Sequence, residues 1–391
     1  MFLKDVVNIL NKVDTMNKKS SFVLILVLLL SACTTPQSIN STDISLIDDD
    51  SPLQTERVFE PNCRFVKFQN ANRESVITGI ERLLCTEDRF FVLDRRGNKL
   101  LSFDKNGTFL RSTTSMIGKS KNEYISLFDA TLDKTSKRIY VYCDAPCKLM
   151  IFDYDLNVID NIDFPIFTWE LSVDDNYLYC LSPDLENGKI MRLMCVDKKN
   201  PSGAAKELLS TQSAIPELGT NGKSIIHCDD CYFAMPFEQS IYHIKNGMII
   251  DAYHVAFDDL WFDSDANDTG LSDFLRINRN RHWMITNICP SDSTILFNTN
   301  KFHSFVINRK TNQCTSYRGI VDSNIPIFSS RLIPTDGLYG YAVYEMSLGK
   351  IKSVIDKAIG VEIKGIDPTV VKLASEYKTE DNPTVCIWKI K

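Results

Sequence analysis

The sequence predicts an all-β fold: a six-bladed β-propeller closed by an N-terminal strand, with a small helical insertion in the last blade. Three observations predict it. A segment of short β-rich runs repeats without gaps at an offset of 49 residues. Four weaker copies follow, each a polar hairpin leading into an aromatic-rich run. The last copy lacks an outer strand, and an unclaimed apolar stretch near the N-terminus can supply one.

The chain has 391 residues, 44% hydrophobic and 24% charged, with a net charge of −6. That apolar fraction excludes disorder throughout. The acidic balance and the lack of a Lys/Arg-rich run exclude general nucleic-acid binding. Twelve cysteines in this length are too few for a disulfide-built scaffold.

Residues 1–32 read as an export signal. Lys18 and Lys19 precede nine apolar residues, Phe22–Leu30, followed by Leu30-Ser31-Ala32-Cys33. Nine residues rise only about 14 Å as a helix, too short to span a bilayer. A basic region, a short apolar core and small residues before a cut describe a signal peptide. Its removal takes four Lys and two Asp, leaving −8. Residues 33–55, rich in Ser, Thr and Asp, read as a flexible tether. Residues 56–391 read as the propeller.

The repeat is clearest in two segments. Phe91-Val-Leu-Asp94, Lys99-Leu-Leu-Ser-Phe-Asp104 and Phe109-Leu110 align with Tyr140-Val-Tyr-Cys143, Lys148-Leu-Met-Ile-Phe-Asp153 and Val158-Ile159. Short strands at a period in the forties indicate propeller blades. The hairpins that mark the copies are Thr86-Glu87-Asp88, Asp133–Lys137, Asp174-Asp175-Asn176, Asp229-Asp230, Ser291-Asp292-Ser293 and Thr335-Asp336-Gly337. In the sixth copy an insertion of about 347–383 separates the second and third strands. Ile351, Val354, Ile355 and Ala358, then Val370, Leu373, Ala374 and Tyr377, have the spacing of two amphipathic helices. Asp367-Pro368 is a cap followed by a first-turn proline. A short helix is expected near Ser272–Arg279. Cys63–Phe68 is expected beside Val385–Ile390, closing the ring and covering its edge.

Phe91-Val-Leu-Asp94, Leu101-Ser-Phe-Asp104, Asn106-Gly107 and Glu123-Tyr124 resemble the six-bladed β-propeller lipoproteins of Gram-negative gut bacteria, relatives of the NHL and TolB-like propellers. Tyr242-His-Ile-Lys-Asn-Gly247 and Asn382-Pro383 fit the same pattern. The inter-blade loop departs from it, reading Gly118-Lys119-Ser120-Lys121-Asn122-Glu123-Tyr124. Leu30–Cys33 resembles the lipobox, which implies lipidation of Cys33 and a membrane partner held through that lipid. Thr34 stands where an inner-membrane retention signal would place Asp, which implies the outer membrane, facing the periplasm or the outside. The resemblance brings no catalytic residues.

The residues themselves suggest no catalytic, cofactor-binding or metal site. Cys143-x3-Cys147 and Cys228-x2-Cys231 have metal-like spacing, but zinc needs four such ligands and these pairs belong to non-neighbouring copies. They read as reduced strand residues, a hairpin disulfide being the alternative. His227, His243, His254, His282 and His303 show no i, i+4 zinc pairing. Asp94, Asp104 and Asp153 recur at equivalent turns and read as turn chemistry. Tyr140, Tyr177, Tyr179 and Tyr232 are expected between blades. The functional expectation is a monomeric, non-catalytic binding or scaffolding module for a glycan, a peptide or an envelope protein. The alternative is a hydrolase or lyase of the lactonase type, which needs carboxylate, Asn or His side chains converging on the channel around a divalent cation.

Overall fold

The structure, a computed structural model, describes residues 39–49, 51–184, 190–212, 222–263, 270–301, 303–328, 332–357 and 365–391. Ser41–Lys391 forms one compact unit. The expected signal peptide and Cys33 lie outside the described residues.

Antiparallel four-stranded meanders build this unit. The first comprises Arg82–Cys85, Arg89–Asp94, Lys99–Asp104 and Phe109–Ser112. The second comprises Ser126–Asp133, Arg138–Ala145, Cys147–Asp153 and Val158–Asp163. The third runs from Glu170–Val173 to Lys206–Gln212, the fourth from Ile225–His227 to Met248–Val255, and the fifth from Ile285–Pro290 to Gln313–Tyr317. The sixth sheet contains Tyr341–Met346, Thr384–Lys389 and Arg64–Lys67.

Strand alternation explains how these sheets stack. Successive residues point to opposite faces. In the second meander, Ile139, Val141 and Cys143 pack against the first meander's Leu84, Phe91 and Leu93. Tyr140 and Tyr142, between them, pack against Leu171, Val173 and Leu178 of the third. The pattern continues around the molecule: apolar clusters join the third meander to the fourth, the fourth to the fifth and the fifth to the sixth. A further cluster returns from Val343, Val385 and Ile387 to Leu83, Phe90 and Val92 of the first. Each sheet is thus covered on both faces by its neighbours. The fold is a β-propeller.

The ring closes as the apolar pattern predicts. Arg64–Lys67 pairs antiparallel with Thr384–Ile387, in the register Phe65↔Cys386 and Lys67↔Thr384. Gly107 fits this seam by necessity. Its φ is +85°, and a Cβ there would lie 2.3 Å from the Lys67 carbonyl oxygen.

The tether expected at 33–55 is corrected over its described residues, 39–49 and 51–55. Asn40–Asp48 is a β-strand, lying between Met248–Val255 and Gln313–Tyr317 and running parallel to the latter from Ser45↔Gln313 to Asp48↔Ser316. Leu53–Gln54 then pairs parallel with Ile320–Val321. The polar composition is that of a strand whose side chains are mostly solvated. Backbone pairing to two outer strands holds it, and Ile44 is its apolar anchor, buried with Tyr232, Ile241 and Phe305.

The inserted helices are Leu348–Lys357 and Pro368–Ser375. Leu348, Ile351, Val370 and Ala374 bury into the core between the fifth and sixth sheets, while Val354 is half exposed. Asp367 caps the second helix, accepting from the Thr369 amide at 2.7 Å. Ala358 lies outside the described residues. The short helix expected near Ser272–Arg279 spans Leu271–Ile277.

Candidate functional site in the central channel

The first strands of the sheets line the centre and touch one another. Four of them are wholly buried: Arg82–Cys85, Glu170–Val173, Ile225–His227 and Ile285–Pro290. The chain places a charge at this axis. Arg82 opens the first strand, with its side chain 1% exposed. Its Nη1 donates to Asp129 Oδ2 at 2.9 Å. Nη2 pairs with Asp336 Oδ2 at 3.2 Å and donates to the Leu171 and Ile225 carbonyls at 2.9 and 3.0 Å. One guanidinium therefore ties the first sheet to the second, third and fourth, and holds the short inner strand that carries Asp336. A planar fork with five donors suits such a junction better than a lysine ammonium.

Lys223 sits above this knot. Its Nζ lies 3.3 Å from Asp129 Oδ1 and 3.1 Å from Glu81 Oε1. Its backbone amide donates to Asn287 Oδ1, which brings in the fifth sheet. Glu170 Oε2 accepts from the Ser224 and Ile225 amides at 2.7 and 3.1 Å. Its other oxygen is buried with no protein partner. Asp336 Oδ1 accepts from the His227 amide at 3.0 Å, and His227 Nδ1 meets the Leu132 carbonyl at 2.8 Å.

The electrostatics follow from burial and pairing. Burial pushes the Glu170 carboxyl up, with Lys223 and Arg82 opposing and Asp129 adding to the rise. Burial likewise raises Asp336, against Arg82. For Arg82 burial alone would favour the neutral form, but Asp129, Asp336 and Glu170 outweigh it and hold the charge. Lys223 is held charged in the same way by Asp129 and Glu170. Burial keeps His227 below the ordinary imidazole value. The arrangement blocks the axis and commits its strong acids and bases to one another.

A cleft of about 500 Å³ opens over Lys223. Glu81, Arg95, Arg96, Tyr344 and Glu345 line it. Glu81 and Lys223 lie just before first strands, Arg95 and Arg96 in the turn between the first meander's second and third strands, and Tyr344 and Glu345 on Tyr341–Met346. Arg95 lies over the Phe128 ring at 3.7 Å, a cation–π contact. Both arginines are exposed.

The sequence reading missed this cluster. It registered the copies on their hairpins and left the strands before those hairpins unaligned. The available signal was a charge set into an apolar run: Arg82 before Leu83-Leu84-Cys85, Asp129 within Leu127–Leu132, and Glu170 before Leu171. Asp336 is corrected outright. It was expected in a hairpin and stands on a two-residue inner strand parallel to Leu83–Leu84.

The other candidates fall elsewhere. Asp104 Oδ1 accepts from the Asn106 and Thr108 amides, and Asp153 Oδ1 from those of Asp155 and Asn157. Burial would raise both carboxyls, but the backbone bonds to Asp104, and for Asp153 the Asn157 side-chain amide together with its backbone bonds, outweigh it and lower them. Asp94 accepts from the Gly97 and Thr78 amides. All three serve turns. Tyr140, Tyr179 and Tyr232 lie in clusters between sheets, with Tyr177 packed at the edge of one.

Cys143 and Cys147 are free thiols on opposite faces, because Cys147 pairs with Asp144 and Cys143 with Lys148. Cys228 and Cys231 are also free: the Cys228 thiol points to the Thr335 carbonyl and the Cys231 thiol to that of Val173. His243 Nε2 pairs with Asp230 at 3.0 Å and its ring stacks on Tyr232. His254 meets Ser240. Burial pushes His282, beside His303, down to about 3. Among the described residues no group of three or more His, Cys, Asp or Glu is arranged to hold a metal.

The family match decides what the chain is related to. Residues 41–389 match a family described as a domain of unknown function, DUF4934. The chain belongs to this family. No curated protein matches it. Among solved structures it is similar to BF0058, a presumed exported protein of Bacteroides fragilis NCTC 9343. The TM-score is 0.66 at 16% identity, covering 90% of this chain and all of that one. That likeness extends to the fold alone. BamB of Moraxella catarrhalis (TM-score 0.40, 8% identity, 64% and 66% covered) and the Cps50 (Swd1) propeller domain of Myceliophteria thermophila (0.39, 10%, 73% and 83%) overlap too little to argue from. No helix among the described residues is long and apolar enough to cross a membrane.

Proposed function

We propose that this DUF4934 member is an outer-membrane lipoprotein, anchored through lipid on Cys33, whose six blades carry a binding cleft and perform no chemistry. The observation that carries the non-catalytic half is the ion-paired knot. Arg82, Asp129, Asp336 and Lys223 are spent on one another, and a general acid or base needs a free proton site within reach of substrate. The cleft above it, lined by Arg95, Arg96 and Lys223, suits a polar ligand bearing carboxylate groups, such as an acidic glycan or a peptide. The anchoring half rests on Leu30–Cys33 and the apolar run before it, and BF0058, a presumed exported protein, agrees with export. Two or three acyl chains on a lipoprotein cysteine give a stable anchor where one does not.

One observation favours the lactonase-type alternative. The unpartnered Glu170 oxygen belongs to a carboxyl that burial pushes upward, the property of a buried general acid.

The test incubates the purified chain with lactones, glycosides and uronic-acid oligosaccharides, with and without divalent metal, while measuring binding and product. Oligouronate binding that Arg96→Ala abolishes, with no turnover, is the expected result. Turnover abolished by Glu170→Gln overturns it. Cys33→Ser should release the chain from membranes and from fatty-acid labelling, and unchanged fractionation and labelling would refute the anchor.

A further inference from the structure

The ring's closing seam holds a pair of thiols. Cys386 lies on the last strand, directly opposite Phe65. Cys63 lies two residues before Phe65, just ahead of the closing strand Arg64–Lys67. The pairing slips just there. Phe59 meets Ile390, whereas Arg64 meets Ile387, so the N-terminal segment carries two extra residues between these points. That bulge folds Cys63 inward onto the core that contains Cys386, Trp388 and Phe59. Both thiols are free and stand as hydrogen-bonding neighbours.

Access is one-sided. Cys386 is wholly buried. Cys63 is half-buried and lines an open cleft of about 500 Å³ with Asn62, Arg64 and Tyr341. Among the described residues Cys147 is the one exposed cysteine.

We propose that Cys63 and Cys386 are a disulfide-forming pair that locks the propeller's first and last strands together. The oxidant is the disulfide of a small molecule or a redox protein. Cys63 loses its proton and its sulfur attacks one sulfur of that disulfide, breaking the S–S bond and releasing one thiolate. Cys386 then loses its proton and attacks the Cys63 sulfur, expelling the second thiolate. Two protein thiols are oxidised to one disulfide, the oxidant is reduced to two thiols, and the two protons pass to those products. The assignment of attacker and resolver agrees with the electrostatics. The hydrogen bond to Cys386 lowers the Cys63 thiol, while burial holds Cys386 far above the ordinary value. An accessible, acidified thiol attacks first and a buried one resolves. The linkage encloses nearly the whole propeller, so it constrains the unfolded chain strongly. An exported protein would meet the oxidising surroundings in which such bonds persist. The inference is independent of the ligand and of catalysis.

The full chain, purified in detergent, would be treated with oxidised glutathione, capped with N-ethylmaleimide and digested without reductant. The expected product is one cross-linked peptide joining Cys63 to Cys386, lighter than the reduced pair by two hydrogen atoms and cleaved by dithiothreitol. Cys147 should carry glutathione instead. Oxidation should raise the thermal midpoint by several degrees, and Cys63→Ser should abolish both the cross-link and that rise. Cys63 is half-buried, so serine there leaves the fold intact. Maleimide on both cysteines after oxidation, glutathione trapped on Cys63, or an oxidation-dependent rise that survives Cys63→Ser would each overturn the pair.

Discussion

At the scale of single residues, Arg82 has the most to lose. Its charge is paid for by Asp129 and Asp336, each fully buried beside it. Removing one member of such a knot leaves the others charged and dry, at about 3–5 kcal/mol. Arg82→Met should therefore lower the unfolding free energy, read from urea denaturation, by that amount. Arg82→Met with Asp129→Leu and Asp336→Leu should recover part of it, because apolar replacement of a whole buried set is often tolerated. A triple variant weaker than the single one would show that the charges are needed as charges. Glu170 supplies a pH prediction. Its folded pKa is raised, chiefly by burial, so its contribution to stability is complete below the unfolded carboxyl value of about 4.3 and is lost as pH rises through the folded value. Stability of the parent chain minus that of Glu170→Gln should fall with rising pH above about 4.5. A difference that grows with pH would refute the assignment. Asp104 and Asp153 act oppositely: their carboxyls are lowered, and their support is lost as pH falls below about 4.

At the scale of elements, the meanders were legible because a strand's alternation is local. Phe91-Val-Leu-Asp94 and Tyr140-Val-Tyr-Cys143 each carry both faces of a buried strand in four residues. The inserted helices were legible for the same reason, with Asp367 as cap. Asn40–Asp48 was not. Its partners lie some 270 residues away at Gln313–Tyr317, and backbone pairing leaves no mark on side-chain composition. The channel was opaque for a related reason: Arg82, Asp129, Glu170, Lys223 and Asp336 come from five separate stretches of the chain, and no linear spacing joins them. The strand carries its own prediction. A chain beginning at Ile39 should melt as the mature chain does. A chain beginning at Ser51 loses the burial of Ile44, worth about 2 kcal/mol, and uncovers two outer edges, so its midpoint should fall by a few degrees. Equal midpoints would return this segment to the status of a tether. The strand also limits reach. Only six residues separate Cys33 from Asn40, at most about 20–25 Å of extended chain, so a lipid on Cys33 would hold the propeller close to the membrane.

At the scale of the whole molecule, stability depends on the circle being complete. Each sheet buries both faces only because it has two neighbours, and the seam between the sixth and first sheets rests on the N-terminal strand. Val66 and Phe68 are buried there, Phe68 against Phe90 and Phe103 with ring centroids at 5.7 and 4.8 Å. Val58 and Phe59 bury nearby, Phe59 stacked on Trp388 at 5.3 Å. The Lys391 amide donates to the Val58 carbonyl at 2.8 Å, so the chain's end is tied to the same segment. A chain beginning at Gln69 loses all of this. Four large apolar side chains at about 1.5–3 kcal/mol each approach the whole net stability of a typical domain. It should therefore lose its cooperative thermal transition, while the chain beginning at Ser51 keeps one. Gly107 gives a control that separates seam loss from general damage. In the closed ring, Gly107→Ala meets both its strained φ and the Lys67 carbonyl. Without residues 51–68 only the φ strain, about 1 kcal/mol, remains. The substitution should cost clearly more in the chain beginning at Ser51 than in any residual structure of the shorter chain. Equal costs, or equal midpoints for the two truncations, would mean that the circle is held by something other than this seam.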